Sequence, residues 1–105
     1  MPNENSLLRQ RIVDNLVADA QYLDELHHNC NIRPTDGLST RCRFRLAEII
    51  IELGVLTNEG LVRTHVDTFW AEDAGVGRII FTLTDAGCYY WRAQIKDADR
   101  DELYA

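Results

Sequence analysis

The sequence predicts an α+β protein: three helical stretches, a two-stranded hairpin and a closing helix. Three observations carry this. In Ser39–Leu56, STRCRFRLAEIIIELGVL, apolar residues recur at helical spacing. In Leu61–Trp70, LVRTHVDTFW, the period changes to two, with β-branched and aromatic residues. A glycine-bearing loop, AEDAGVG, then separates this run from a second one, Arg78–Thr84, RIIFTLT.

The elements follow in chain order. Residues 1–5 are polar and are expected to fray. Ser6 can cap a helix whose stripe is Leu8, Ile12 and Leu16, with Val13 and Val17 beside it. The pattern continues through Leu23 and Leu26 to His28 as one long helix, or as two bent near Asp19 and Ala20. Neither Gly nor Pro decides between them, and Asp19 could cap a second helix. Cys30–Leu38, CNIRPTDGL, holds Pro34 and the Asp36-Gly37 pair and reads as a loop. Ser39 then caps the third helix, Cys42, Leu46, Ile49 or Ile50, and Leu53 line its buried face, and Gly54 closes it. Thr57–Gly60 is a turn.

In the first strand Val62, Thr64, Val66, Thr68 and Trp70 share a face, with Leu61, Arg63, His65, Asp67 and Phe69 on the other. The return strand directs Ile79, Phe81 and Leu83 inward. Thr84 caps the last helix, DAGCYYWRAQI, with Asp85 favourably placed in its first turn. Ala86, Tyr89, Tyr90, Ala93 and Ile95 offer its contacts. Three consecutive aromatics, Tyr89 to Trp91, lie about 100° apart on a helix, so at least one must be exposed or covered by a second subunit. The acidic end, from about residue 98 to 105, is expected to fray.

The 105 residues suit one domain, with 46% hydrophobic and 27% charged residues, which excludes disorder throughout. The net charge of −6 argues against a protein that coats nucleic acid non-specifically, because such binding rests on phosphate neutralisation. The basic residues are nevertheless clustered: Arg33, Arg41, Arg43 and Arg45 fall in a short stretch with one acid, Asp36. Every basic residue but Lys96 is arginine, the side chain suited to bidentate contacts with phosphate, guanine or carboxylate. Three cysteines at irregular spacing are no disulfide framework, and Cys42 and Cys88 sit among apolar residues as small hydrophobes. No basic leader with an apolar run and no membrane-length apolar stretch is present, so a soluble cytoplasmic protein is expected.

Arg41, Arg43 and Arg45 crowd the predicted helix start, where the helix dipole disfavours cations. That placement points to a partner with phosphates or carboxylates; the plain alternative is surface pairing of Arg45 with Glu48 and Glu52. His27, His28 and Cys30 lack the second ligand pair of a structural zinc site, so no metal is expected. No serine sits in a glycine-framed elbow, no carboxylate pair is embedded in apolar sequence, and no phosphate-cradling glycine loop is present. The expectation is a protein without catalytic residues or cofactor.

Two stretches resemble winged helix-turn-helix proteins of the multidrug-resistance-regulator and PadR-like type. Ser39–Leu56 resembles their recognition helix, ending in a leucine–glycine–hydrophobic stop. Gly77–Trp91, GRIIFTLTDAGCYYW, resembles their second wing strand running through leucine–threonine–acid–alanine–glycine into a final helix. The resemblance implies that Ser39, Thr40, Arg41, Arg43 and Arg45 face the major groove, that residues 71–77 form the wing with Arg78 at its return, and that terminal helices form a homodimer. The sequence departs from the pattern in two places. The wing tip carries Glu72 and Asp73, which repel phosphates, and Cys30–Leu38 exceeds the roughly 3–4 residue turn of such motifs. Two functions are therefore expected: a dimeric regulator bound to double-stranded DNA, or a winged-helix scaffold docking an acidic protein surface.

Overall fold

A computed structural model describes residues 4–31, 43–67 and 78–104 of the chain. Its elements are α1 (Glu4–Ala18), β1 (Gln21–Tyr22), α2 (Leu23–Asn31), α3 (Leu46–Asn58), β2 (Val62–Asp67), β3 (Arg78–Leu83), α4 (Asp85–Gln94) and α5 (Arg100–Leu103). The three strands form an antiparallel sheet in the order β1-β3-β2.

The first two helices are separate. The chain leaves α1 at Ala18, pairs Gln21 with Phe81 and Tyr22 with Ile80, and re-enters a helix at Leu23. Asp19 is not the cap. Instead Glu25 Oε1 accepts the backbone N–H of Tyr22, the residue before α2, at 3.0 Å. This is the carboxylate half of a capping box. Gln21 is buried and bridges the two helices: its Nε2 donates to the Asn15 carbonyl at 3.1 Å and its Oε1 accepts from Asn29 Nδ2 at 3.0 Å.

The third helix also departs from expectation. It starts at Leu46, with Arg45 at its N-cap, and residues 43 and 44 form a bend. The expected cap Ser39, with Thr40, Arg41 and Cys42, lies outside the described residues. Glu48 Oε1 accepts the Arg45 backbone N–H at 3.2 Å, repeating the device that opens α2. Gly54 does not end the helix; it lies exposed inside it. The chain turns at Gly60, whose φ of +79° is easy only for glycine. The buried face is Ile49, Leu53 and Leu56, while Leu46 is exposed. Glu52 is buried on that side, accepting from Arg9 Nε at 3.0 Å, and Arg9 also bonds Glu59. The expected Arg45–Glu52 pairing is thus replaced by a tie between α3 and α1.

The hairpin register pairs Val62 with Leu83, Thr64 with Phe81 and Val66 with Ile79. The alternation is as expected, but only the base of the hairpin reaches the core. Val62 and Phe81 are buried, whereas Val66 and Ile79 are exposed, which corrects the expectation that Ile79 is core. Residues 68–77, with Trp70 and the loop acids, lie outside the described residues.

Thr84 caps α4 as expected, its hydroxyl oxygen accepting the Gly87 N–H at 3.1 Å. A Cβ on Gly87 would come within 2.2 Å of the Leu61 carbonyl oxygen, so only glycine lets α4 pack this closely on the start of β2. On α4, Tyr89 is exposed and Tyr90 and Trp91 are half-buried, while Ala86 and Ala93 face solvent. Cys88 is half-buried, and Cys30 is fully buried, at the end of α2 rather than in a loop; Cys42 lies outside the described residues.

The acidic end is not loose. It forms α5, and Leu103 and Tyr104 join one core cluster with Leu8, Ile12, Val13 and Leu16 of α1, Leu26, Ile49 and Phe81. Full burial of one such aliphatic side chain contributes about 1.5–3 kcal/mol. Tyr104 donates its hydroxyl to Asp14 Oδ2 at 2.6 Å, and Trp91 Nε1 donates to Asp14 Oδ1 at 2.9 Å.

At the centre lies Arg11, 2% exposed. Its Nε donates to the Leu103 carbonyl at 2.6 Å and Nη1 to the Cys30 carbonyl at 2.8 Å. Its guanidinium carbon lies 5.1 Å from the Phe44 ring centre and 5.4 Å from that of Tyr104. Asn31 closes the same region. Its Oδ1 accepts the Phe44 N–H at 2.7 Å, and its Nδ2 donates to the Phe44 carbonyl at 3.0 Å.

Two predictions test this packing. Tyr104→Ala is expected to lower unfolding stability by about 3 kcal/mol in chemical denaturation, as for a large buried aromatic, whereas a frayed end would leave it unchanged. Asn31→Ala is expected to cost about 1–3 kcal/mol by removing both of its bonds to the Phe44 backbone. It should also speed hydrogen exchange at the Phe44 amide; unchanged exchange would mean that the side chain does not hold this segment.

Candidate nucleic-acid interface

The segment Arg43-Phe44-Arg45 alternates outward, inward, outward. Phe44 is 1% exposed and both arginines are exposed. The backbone between them is held from two sides, by the Asn31 amide on Phe44 and by Glu48 on the Arg45 N–H. The Arg43 guanidinium carbon lies 5.7 Å from the Phe44 ring centre, which gives its stem a fixed neighbour. The two cations therefore stand on an anchored bend at the start of α3.

This placement alters the electrostatic argument. Arg43 and Arg45 do not occupy the first turn of α3; the charged residue there is Glu48, the sign that the dipole favours. Arg43 and Arg45 instead precede the positive end of α3. Their charge has the same sign as that end of the helix, and both suit an anion.

Of the other expected contacts, Ser39, Thr40 and Arg41 lie outside the described residues. Arg78 opens β3, with its backbone opposite Asp67. The tip of the expected wing, residues 71–77, is outside the described residues. The structure adds Arg63 and His65, exposed on β2 opposite Thr82 and Ile80. Their alternation was visible in the sequence, but nothing there marked them as part of a site.

The structure also shows an exposed apolar face on α3. Leu46 is 42% exposed, Ile50 49%, Ile51 68% and Val55 40%. The run EIIIELGVL holds more large aliphatics than one buried stripe can absorb, and that surplus was the available signal.

Among the described residues no group of three or more His, Cys, Asp or Glu side chains could hold a metal. Burial pushes the Cys30 thiol up to about 12, so it stays protonated at neutral pH. No helix among the described residues is long and apolar enough to cross a membrane.

No family model matches the chain, and no curated protein matches its sequence. Solved structures do. A PadR family transcription regulator from Clostridium difficile R20291 superposes with a TM-score of 0.66 at 16% identity, over 83% of this chain and 81% of that one. A transcriptional regulator from Clostridium thermocellum gives 0.68 at 15% identity, over 92% and 87%. Bacillus subtilis PadR, solved in complex with operator DNA, gives 0.68 at 17% identity over 89% of this chain, which spans 49% of that protein. The α+β architecture of helices and a small antiparallel sheet is thus the winged helix-turn-helix fold seen in PadR-type regulators.

Proposed function

We propose that the protein is a DNA-binding transcriptional regulator that acts as a homodimer in the cytoplasm. The observation that carries this reading is the pair Arg43 and Arg45. They are exposed on a backbone held by Asn31 and Glu48, at the positive end of the second helix of the motif. The fold they stand on is shared with a PadR protein solved on operator DNA. In this reading α3 and the bend before it approach the major groove. Arg43 and Arg45, with Ser39, Thr40 and Arg41, contact bases or phosphates, and Arg78 and Arg63 contact the backbone from the hairpin.

The dimer contact falls on α4. On the N-terminal helix, the stripe Leu8, Ile12 and Leu16 is buried in the core and is not available. Tyr89, 75% exposed, lies on a face with Ala86 and Ala93, where small neighbours let a second helix approach.

A second reading is a scaffold that docks a protein with acidic groups. It is favoured by the net charge of −6 and by the exposed Asp97, Asp99, Asp101 and Glu102. These acids repel a phosphate backbone wherever they approach it.

Selection from random duplexes at near-physiological salt separates the two. The regulator reading expects an enriched palindrome, with Arg43→Ala weakening it by about 1–3 kcal/mol if the contact is to a base. A phosphate contact would instead weaken all sequences alike and lower the salt slope by about one. No enriched motif, with a protein retained by the wild type but not by Arg43→Ala/Arg45→Ala, would overturn it in favour of the scaffold. Light scattering at tens of micromolar is expected to give twice the chain mass, and Tyr89→Asp to halve it. A monomeric wild type would remove the dimer.

A further inference from the structure

We infer that α3 recognises thymine through its C5-methyl groups, so that the part of the operator facing Leu46, Ala47, Ile50 and Ile51 is rich in A·T pairs. This rests on the DNA reading above and specifies what the groove must present.

The argument starts from what the outward face of α3 lacks. Leu46, Ala47, Ile50 and Ile51 are all exposed, and Leu46 with Ile50 and Ala47 with Ile51 are neighbours one turn apart. Of the nearby carboxylates two are tied to α1, and Glu48 stays exposed with one oxygen held at the N-terminus of α3. Glu52 is buried on Arg9, Glu59 meets the same arginine, and Glu48 accepts the Arg45 backbone N–H. From Leu46 to Ile51 this surface therefore carries no side-chain hydrogen-bond donor.

A base edge in the major groove is read by donors, by acceptors or by contact with the thymine methyl. Without a donor, this stretch cannot make the bidentate contacts that select guanine or adenine. The exposed Glu48 is an acceptor that suits only cytosine N4, and one of its oxygens is held by the Arg45 N–H; for the four aliphatic side chains themselves, methyl contact is the readout their chemistry makes. A G·C pair there would lose hydration at guanine O6 and N7 and at cytosine N4, with no apolar gain in return. Charge complementarity favours a nucleic-acid occupant. The patch begins directly beside the exposed Arg43 and Arg45, whose cations suit the phosphates that flank a groove.

The test replaces every thymine of the selected duplex with deoxyuridine. This deletes the C5-methyl groups and keeps every hydrogen-bonding group. Each contacted methyl should be worth about fourfold in affinity, so two contacts give more than tenfold weakening. The Ile50→Ala and Ile51→Ala variants alter exposed residues and should fold normally. Each should show a smaller thymine-to-uracil penalty than the wild type. A specific duplex that binds equally well with uracil would overturn this inference and leave the regulator reading standing. So would a uracil penalty that both variants retain in full, or isoleucine variants that keep the DNA behaviour intact while losing a protein partner. If selection enriches no duplex, both fall together.

Discussion

The rest of the structure depends on one buried cation. Arg11 lies on α1 with 2% of its surface exposed, and a charge taken that far from water is tolerated only when its donors are met. The acceptors it meets are carbonyls at the ends of two other segments, Cys30 closing α2 and Leu103 closing α5. Charge-assisted bonds of this kind are roughly twice as strong as neutral ones. The rings of Phe44 and Tyr104 also lie against it. One side chain thus fixes where α2 ends, where the C-terminal segment packs and where the chain stands as it enters α3.

That arrangement links packing to the proposed interface. Phe44 is buried beside Arg11 and gripped by Asn31, so its neighbours Arg43 and Arg45 are directed outward. A flexible arginine must lose side-chain entropy to make a contact, and a backbone already ordered reduces what remains to be lost. Asp14, one turn further along the same face of α1, accepts from Trp91 of α4 and from Tyr104.

Much of this was legible in the sequence. The stripe of α1, the change of period at the hairpin and the Thr84 cap were read from spacing and residue type alone, because each is a local effect. The beginnings of α2 and α3 were misread for a shared reason. The sequence offered Asp19 and Ser39 as caps, while the structure uses Glu25 and Glu48, each reaching back three residues to a backbone N–H. Gly54 looked like a stop because it is a glycine, yet the positive φ belongs to Gly60. The two residues of β1 are too few to show a period. Ile79 sits on the correct face of a strand that outruns its core. Tyr104 is hidden among acids, and Arg11 looks like any polar residue of an amphipathic helix; their roles exist only once distant segments meet. Arg43 and Arg45, which the sequence offered as candidate contacts, are exposed, but the sequence did not show that α3 exposes aliphatics beside them.

The packing at Gly87 has a mechanical consequence. The missing side chain lets α4 rest directly on the backbone that starts β2, and the Leu61 carbonyl also accepts the Thr84 N–H at 3.1 Å. Helix and hairpin base are therefore one lever with no compliant layer between them. If two copies join through α4, the separation and tilt of their hairpins follow from that joint. The spacing of the two halves of a recognised sequence would then be set by a rigid gauge whose zero point is a glycine far from any base.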